Sequence, residues 1–162
     1  MSPRRHNTTP LRAPPAPGLD KSEYEVLAAF RCALRRFLSF SESAAAGVGL
    51  APQQYQALLA IKGYPGRDVV TINELARQLL IKHNSAVGLV DRLEEEGLVA
   101  RKTALDDRRK VNIRLTAKGT RIFRKLATEH RLELQRFGPV LANFLVYFSH
   151  APGQSQRPNV AP

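Results

Sequence analysis

Residues 82–97 read KHNSAVGLVDRLEEEG. At the 100° step of an α-helix, this stretch gathers four apolar side chains on one face: Ala86, Leu89, Val90 and Leu93. Glycine accepts the left-handed conformation that ends many helices, so Gly97 is the predicted stop. The first turn is neutral to basic, whereas the end carries the glutamates at 94–96. Such a helix can present only its N-terminal half to a polyanion, as the recognition helices of DNA-binding proteins do.

The composition also indicates a polyanionic partner. The 162-residue chain holds 25 lysines and arginines against 14 acidic residues, a formal net charge of +11. The N-terminal tail supplies only Arg4, Arg5 and Arg12, so most of the excess belongs to the part that folds. An excess of this kind is typical of nucleic-acid binding, with solubility alone as the alternative explanation.

Several protein classes find no support in the sequence. No apolar run is long enough to span a bilayer and the N-terminus lacks the apolar core of a secretory signal, so we expect a cytoplasmic protein. Cys32 is the only cysteine, and the four histidines have no metal-ligand spacing. Neither a phosphate-binding loop nor a G-x-S-x-G nucleophile motif is present. We therefore expect no metal, no cofactor and no enzymatic activity.

Composition divides the chain into five parts. The proline-rich tail 1–19 and the tail 150–162 cannot supply a core and are predicted to be disordered. Helical patterns over 20–50 and 117–149 flank the central part, 51–116.

The last helical pattern contains two unusual features. Gly138-Pro139 is predicted to interrupt it, leaving a short helix, VLANFLVYF at 140–148, that is apolar nearly all round. A helix of that kind is stable in water only if it is wrapped. We therefore expect the flanking helices to pack with a second subunit in a homodimer; the alternative is that they close the core of a monomer.

The first half of the central part predicts a helix-turn-helix. Pro52 suits the first position of a helix that Gly63 ends. The residues Thr71-Ile72-Asn73-Glu74 form a capping box that starts the next helix. That short helix stops only a few residues before the 82–97 helix, which is the spacing of a helix-turn-helix.

The second half of the central part predicts a wing. Residues 98–103 read as a strand, and Val111, Ile113 and Leu115 alternate with polar residues as in a half-buried strand. Thr116 can cap the helix that follows. The predicted fold is mainly α with a small β wing, a winged helix-turn-helix domain flanked by N- and C-terminal dimerisation helices.

These elements resemble the MarR family of bacterial winged-helix regulators in order and spacing. The residues that carry the resemblance are Leu75-Ala76, LVDRLEEEGLV at 89–99, Arg101 and DRRKVNIRLTAKG at 107–119. The resemblance implies an obligate homodimer on double-stranded DNA, with repression relieved by a small phenolic or aromatic effector or by oxidation. Lys82 stands where the family commonly has a serine. Since lysine cannot cap a helix, either Asn84 or Ser85 caps it instead or the start of the helix stays loose.

We predict that the first turns of the 82–97 helix enter the major groove. Asn84 can form two hydrogen bonds to an adenine, and capping explains it equally well. Gly88 in mid-helix costs about 1 kcal/mol relative to alanine, which close approach to DNA would justify. Arg92 is expected to contact a phosphate or a neighbouring carboxylate. The candidate DNA contacts on the helix are His83, Asn84, Ser85, Val87, Gly88 and Arg92.

The wing supplies the other candidates, Arg108, Arg109 and Lys110. By the resemblance, Arg109 enters the minor groove, where negative potential attracts guanidinium groups. At least one of Arg108 and Lys110 is expected to be only a solvated charge. Arg101 is expected to pair structurally.

Two other functions fit parts of the pattern. A winged helix used as a protein-interaction module would have an uncharged wing, whereas the wing of this chain is basic. A non-specific architectural DNA-binding protein would bind random duplex as tightly as the region upstream of its own gene.

Cys32 in the first helix invites comparison with oxidant sensors of the family, but a lone helical cysteine is usually a packing residue.

Overall fold

The computed structural model describes residues 18–103 and 111–149. In chain order the elements are α1 (Lys21–Ala46), α2 (Pro52–Lys62), β1 (Val70–Thr71), α3 (Ile72–Leu79), α4 (His83–Glu95), β2 (Val99–Thr103), β3 (Val111–Leu115) and α5 (Ala117–Ser149). The strands form one antiparallel sheet in the order β1-β3-β2. The predicted fold class is therefore confirmed, whereas nearly all of the two tails predicted to be disordered lies outside the described residues.

Local side-chain bonds set where the helices begin. The side chains of Asp20 before α1 and Thr71 before α3 each accept a hydrogen bond from the backbone amide of a glutamate three residues later. The carboxylate of that glutamate accepts a hydrogen bond from the backbone amide of Asp20 or Thr71 in return. The Thr116 hydroxyl accepts from the Gly119 amide at 3.0 Å at the start of α5. The predicted capping box and the predicted Thr116 cap are both confirmed.

The winged part has one core to which α2, α3, α4, the sheet and the start of α5 contribute. Its fully buried side chains include Leu58, Leu75, Leu93 and Ile113. β2 and β3 pair from Val99↔Leu115 to Thr103↔Val111, so the strands of the predicted wing are confirmed. This core holds α4 with its apolar face inward and its other face toward solvent.

α1 and α5 pack against each other in antiparallel fashion. Near the start of α1, Phe30 contacts Phe144 and Phe148 with ring centroids 5.5 and 5.6 Å apart. Farther along α1, Phe37 stacks on Phe137 at 5.6 Å. The two helices therefore form a second apolar cluster within one chain.

α5 is one continuous helix of 33 residues, so the predicted interruption at Gly138-Pro139 is wrong. Pro139 removes one backbone hydrogen bond, that to the carbonyl of Gln135, and Gln135 is exposed so that water can satisfy the carbonyl. Phe137 and Phe144, on either side of the proline, both pack on α1. This tertiary packing outweighs the local signal to stop.

One end of the α1–α5 pair keeps large apolar side chains in contact with solvent. On α5, Leu145 and Val146 are each 57% exposed and Phe148 is 43% exposed, although Phe144 is buried. The facing start of α1 carries the exposed Tyr24 and Leu27. We call this surface, built from residues 19–27 and 145–148, the apolar end.

Candidate nucleic-acid interface

The start of α4 is held by α3 and not by a side-chain cap. Lys82 occupies the N-cap position without a capping bond, and α4 begins at His83. The ring Nδ1 of His83 lies 2.7 Å from Asn73 Oδ1 on α3, and since an amide oxygen only accepts, Nδ1 donates. Asn84 and Ser85 thus lie inside the first turn, so neither caps the helix, and of the two predicted alternatives the structure has the start without a side-chain cap. Asn84 is free of that structural role.

The predicted helical contacts all lie on the solvent side of α4. His83, Asn84, Ser85 and Arg92 are exposed, and Val87 and Gly88 are half-buried. The opposite face is buried as predicted, through Ala86, Leu89, Val90 and Leu93. Within residues 18–103 and 111–149, no side chain covers the surface that the first turn presents.

No neighbour in the part of the chain that the structure describes requires a glycine at position 88. A Cβ built there would have Arg92 Nη1 as its nearest atom, at 3.7 Å, which is an ordinary van der Waals contact. Among the described residues no carboxylate pairs with Arg92. Its guanidinium therefore lies beside Gly88 on the solvent face with its charge available.

Side chains of β2 and α2 form hydrogen bonds with the acidic end of α4. Arg101 on β2 donates from its guanidinium to Asp91 and Glu94, both at 2.5 Å, and its amide donates to Glu94 at 3.0 Å. The bonds from this amide and guanidinium hold the pKa of Glu94 below its usual range. Gln54 on α2 donates to Glu96 at 2.7 Å. The predicted structural pairing of Arg101 is confirmed, and it ties the wing to α4.

The predicted wing contacts, Arg108, Arg109 and Lys110, lie outside the described residues. The strands that lead to and from them carry exposed Lys102 and Arg114. Within residues 18–103 and 111–149, no three His, Cys, Asp or Glu side chains are grouped to hold a metal ion. No helix in that part of the chain is both long and apolar enough to cross a membrane.

Two features have no signal in the sequence. Leu80, between α3 and α4, is 92% exposed and has a left-handed backbone. Cys32 is exposed on α1, so the interpretation of it as a packing residue is wrong within this chain.

The comparisons with known proteins agree with this geometry. Residues 48–110 match the family model described as MarR family. This segment is similar to MarR-family domains. A Bacillus subtilis (strain 168) protein, the uncharacterized HTH-type transcriptional regulator YfiV, is 35% identical over 65 residues. That match covers 40% of this chain and 41% of YfiV, so it spans less than half of either protein.

Solved structures of transcription regulators extend the likeness to the flanking helices. AbsC, a MarR family transcriptional regulator from Streptomyces coelicolor, superposes with a TM-score of 0.64 at 22% identity, covering 85% of this chain and 86% of AbsC. MepR, a transcription regulator of the Staphylococcus aureus multidrug efflux pump MepA, gives 0.66 at 19% identity over 78% of this chain and 96% of MepR. A MepR mutant bound to an oligodeoxyribonucleotide gives 0.60 at 20% identity, with the same coverage. At these identities the likeness shows the fold.

Proposed function

We propose that the protein is a transcriptional regulator, a repressor, that binds a pseudo-palindromic operator as a homodimer. The observation that carries the proposal is the start of α4: it lies on the solvent side of a MarR-family domain, and its acidic end is engaged by Arg101 and Gln54. A major groove is wide enough to admit such a helix. The DNA-bound MepR mutant, which has the same fold, supports this reading.

The homodimer is supported by the apolar end. Leu145, Val146 and Tyr24 are each more than half exposed there, next to the buried contact of Phe30 with Phe144. Contiguous exposed apolar surface of this kind marks interaction sites. A second copy of the chain would cover it, and two-fold symmetry would place two α4 helices about 34 Å apart, one turn of DNA.

We also propose how the protein is controlled and where in the cell it acts. A small aromatic or phenolic effector, implied by the family resemblance, would release the operator by changing the spacing of the two α4 helices. Access to the chromosome requires the protein to act in the cytoplasm. The effector rests on the family resemblance, and the location rests on the DNA-binding role.

Competition between duplexes tests the function directly. We expect the region upstream of the protein's own gene to compete at least 1,000-fold better than random duplex, since specific and non-specific affinities of such proteins differ by about 10³–10⁷. Equal competition by both duplexes would favour a non-specific architectural protein. Binding to neither would favour a protein-interaction module.

Arg109→Ala is expected to weaken operator binding and to reduce the salt dependence. Removing one arginine that neutralises a phosphate-rich groove lowers the slope of log K against log salt by about 1. Fluorescence anisotropy at several salt concentrations measures both quantities. Arg136→Ala, an exposed arginine paired with Glu133 on α5, is the control with the same change in charge. Equal slopes for the two variants would remove Arg109 from the interface.

Gly88→Ala is expected to stabilise the fold and weaken DNA binding. Alanine gains up to about 1 kcal/mol over glycine inside a helix, and the added Cβ meets only Arg92 Nη1 at 3.7 Å. Against DNA the same methyl would prevent the closest approach. Thermal unfolding and anisotropy measure the two effects. Thr128→Ala, exposed on α5, should raise stability without changing binding. Unchanged binding by Gly88→Ala would show that the glycine does not face DNA.

A further inference from the structure

Leu80 occupies a backbone position that suits glycine. Its φ of 54° and ψ of 39° are left-handed, and it is the only non-glycine residue with positive φ in residues 18–103 and 111–149. For an L-residue this conformation costs roughly 1–2 kcal/mol. The position closes α3, where the amides of Leu80 and Ile81 bond to the carbonyls of Arg77 and Ala76 at 3.3 and 3.0 Å.

The same closing motif recurs at the end of α4, where the residue is glycine. There Gly97, with φ of 70°, and Leu98 donate to the carbonyls of Glu94 and Leu93 at 2.9 and 2.8 Å. Two equivalent turns in one domain thus carry different residues. Nothing in the geometry of the turn requires a leucine at the first of them.

Packing inside the chain does not explain the leucine either. Leu80 is 92% exposed, the highest value among the exposed large apolar side chains of the described part. Because the side chain is not buried, no packing energy offsets the cost of the left-handed backbone. Its apolar surface also stays in contact with water. A strained and exposed apolar residue of this kind indicates a contact with something outside the chain.

The surroundings of Leu80 fit duplex DNA. It lies two residues before the N-cap of α4, on an open groove whose lining is Asn73, Ala76, Arg77, Leu80, Ile81 and His83. Among these described lining residues none is acidic, and Arg77 brings a positive charge. The groove is thus continuous with the first turn of α4.

We propose that Leu80 reads a thymine, by placing its methyl groups against the C5-methyl group in the major groove. The inference rests on the DNA-binding function proposed above. A leucine side chain has no hydrogen-bonding group, and the thymine methyl is the one apolar feature that distinguishes base pairs in that groove. The contact lies beside the bases that Asn84 reads and extends the recognised sequence by one position.

Replacing thymidine by deoxyuridine tests the contact directly, because it removes only the C5-methyl group. The probe is a duplex recovered from a random library by repeated selection with the full-length protein, and each thymine of one half-site is replaced in turn. We expect one replacement to weaken wild-type binding about 3- to 10-fold, the value of one or two buried carbon groups. Leu80→Asn, which tolerates the left-handed backbone, should bind the thymine duplex weaker by the same factor and should not distinguish the two duplexes.

Three further measurements make the outcome decisive. Leu80→Met keeps an apolar side chain and should retain the thymine preference, whereas Leu80→Gly should raise the unfolding temperature and lose the preference. Leu59→Asn, a partly exposed leucine on α2, is the control and should bind as wild type does. The inference is wrong if Leu80→Asn binds the thymine duplex as tightly as the wild type does. It is also wrong if deoxyuridine replacement weakens binding by Leu80→Asn as much as it weakens binding by the wild type. In either case the regulator proposal stands. If selection recovers no preferred duplex, both are wrong.

Discussion

Replacing Gly119 with alanine should destabilise the protein by about 3 kcal/mol, the upper part of the range for overpacking a tight site. A Cβ at this position would lie 2.0 Å from the carbonyl oxygen of Leu98 and 2.9 Å from its carbonyl carbon. That oxygen cannot give way, because it accepts the Thr116 amide at 3.0 Å and so joins the wing to the start of α5. The close approach explains the glycine that ends the sequence Leu115-Thr116-Ala117-Lys118-Gly119.

Thermal unfolding measures the effect. For a chain of this length 3 kcal/mol corresponds to a fall of roughly 6–12 °C in the unfolding temperature. Gly47→Ala is the matched control, because Gly47 has a right-handed φ of −61° and a Cβ there would meet nothing closer than 3.5 Å. Equal unfolding temperatures for the two variants would mean that α5 is not held against Leu98 as the structure shows.

Asn84→Ala should abolish the preference for one base pair without abolishing binding. Asn84 is exposed in the first turn of α4, and with Lys82 at the N-cap it has no capping role. A bidentate pair with adenine is worth about 1–3 kcal/mol, so affinity for the selected duplex should fall roughly 5- to 150-fold. Affinity for random duplex should scarcely change, since phosphate contacts supply it.

The measurement compares the variant on the selected duplex, on duplexes carrying each alternative base pair, and on random duplex. Gln135→Ala removes an exposed amide side chain from α5 and should bind all of them as wild type does. A uniform loss for Asn84→Ala on every duplex, together with a lower unfolding temperature, would instead assign Asn84 to the stability of the helix start.

The winged part could be predicted from the sequence because its signals are local. The apolar face of α4, the capping box at Thr71 and the alternation around Ile113 each lie within a few residues, and each is found in the structure. The candidate contacts on the solvent side of α4 follow from the same periodicity. Their roles toward DNA remain predictions.

Features that depend on distant partners could not be predicted. α5 continues through Pro139 because α1 packs on both sides of it. His130 is buried with its Nδ1 2.8 Å from the Leu126 carbonyl and its Nε2 2.8 Å from the hydroxyl of Ser41, which lies 89 positions earlier. The left-handed turn at Leu80 depends on where α3 ends, which its composition does not mark.

The most direct test of the account is a hydroxyl-radical footprint of the full-length protein on the selected duplex. Two α4 helices related by a two-fold axis should protect two symmetric stretches whose centres lie about one helical turn, 10–10.5 base pairs, apart. With Asn84→Ala, the same protection should require a concentration roughly 5- to 150-fold higher than with the wild type. A single unsymmetrical stretch, or even protection along the whole duplex, would contradict the account of a homodimer reading a pseudo-palindrome through α4.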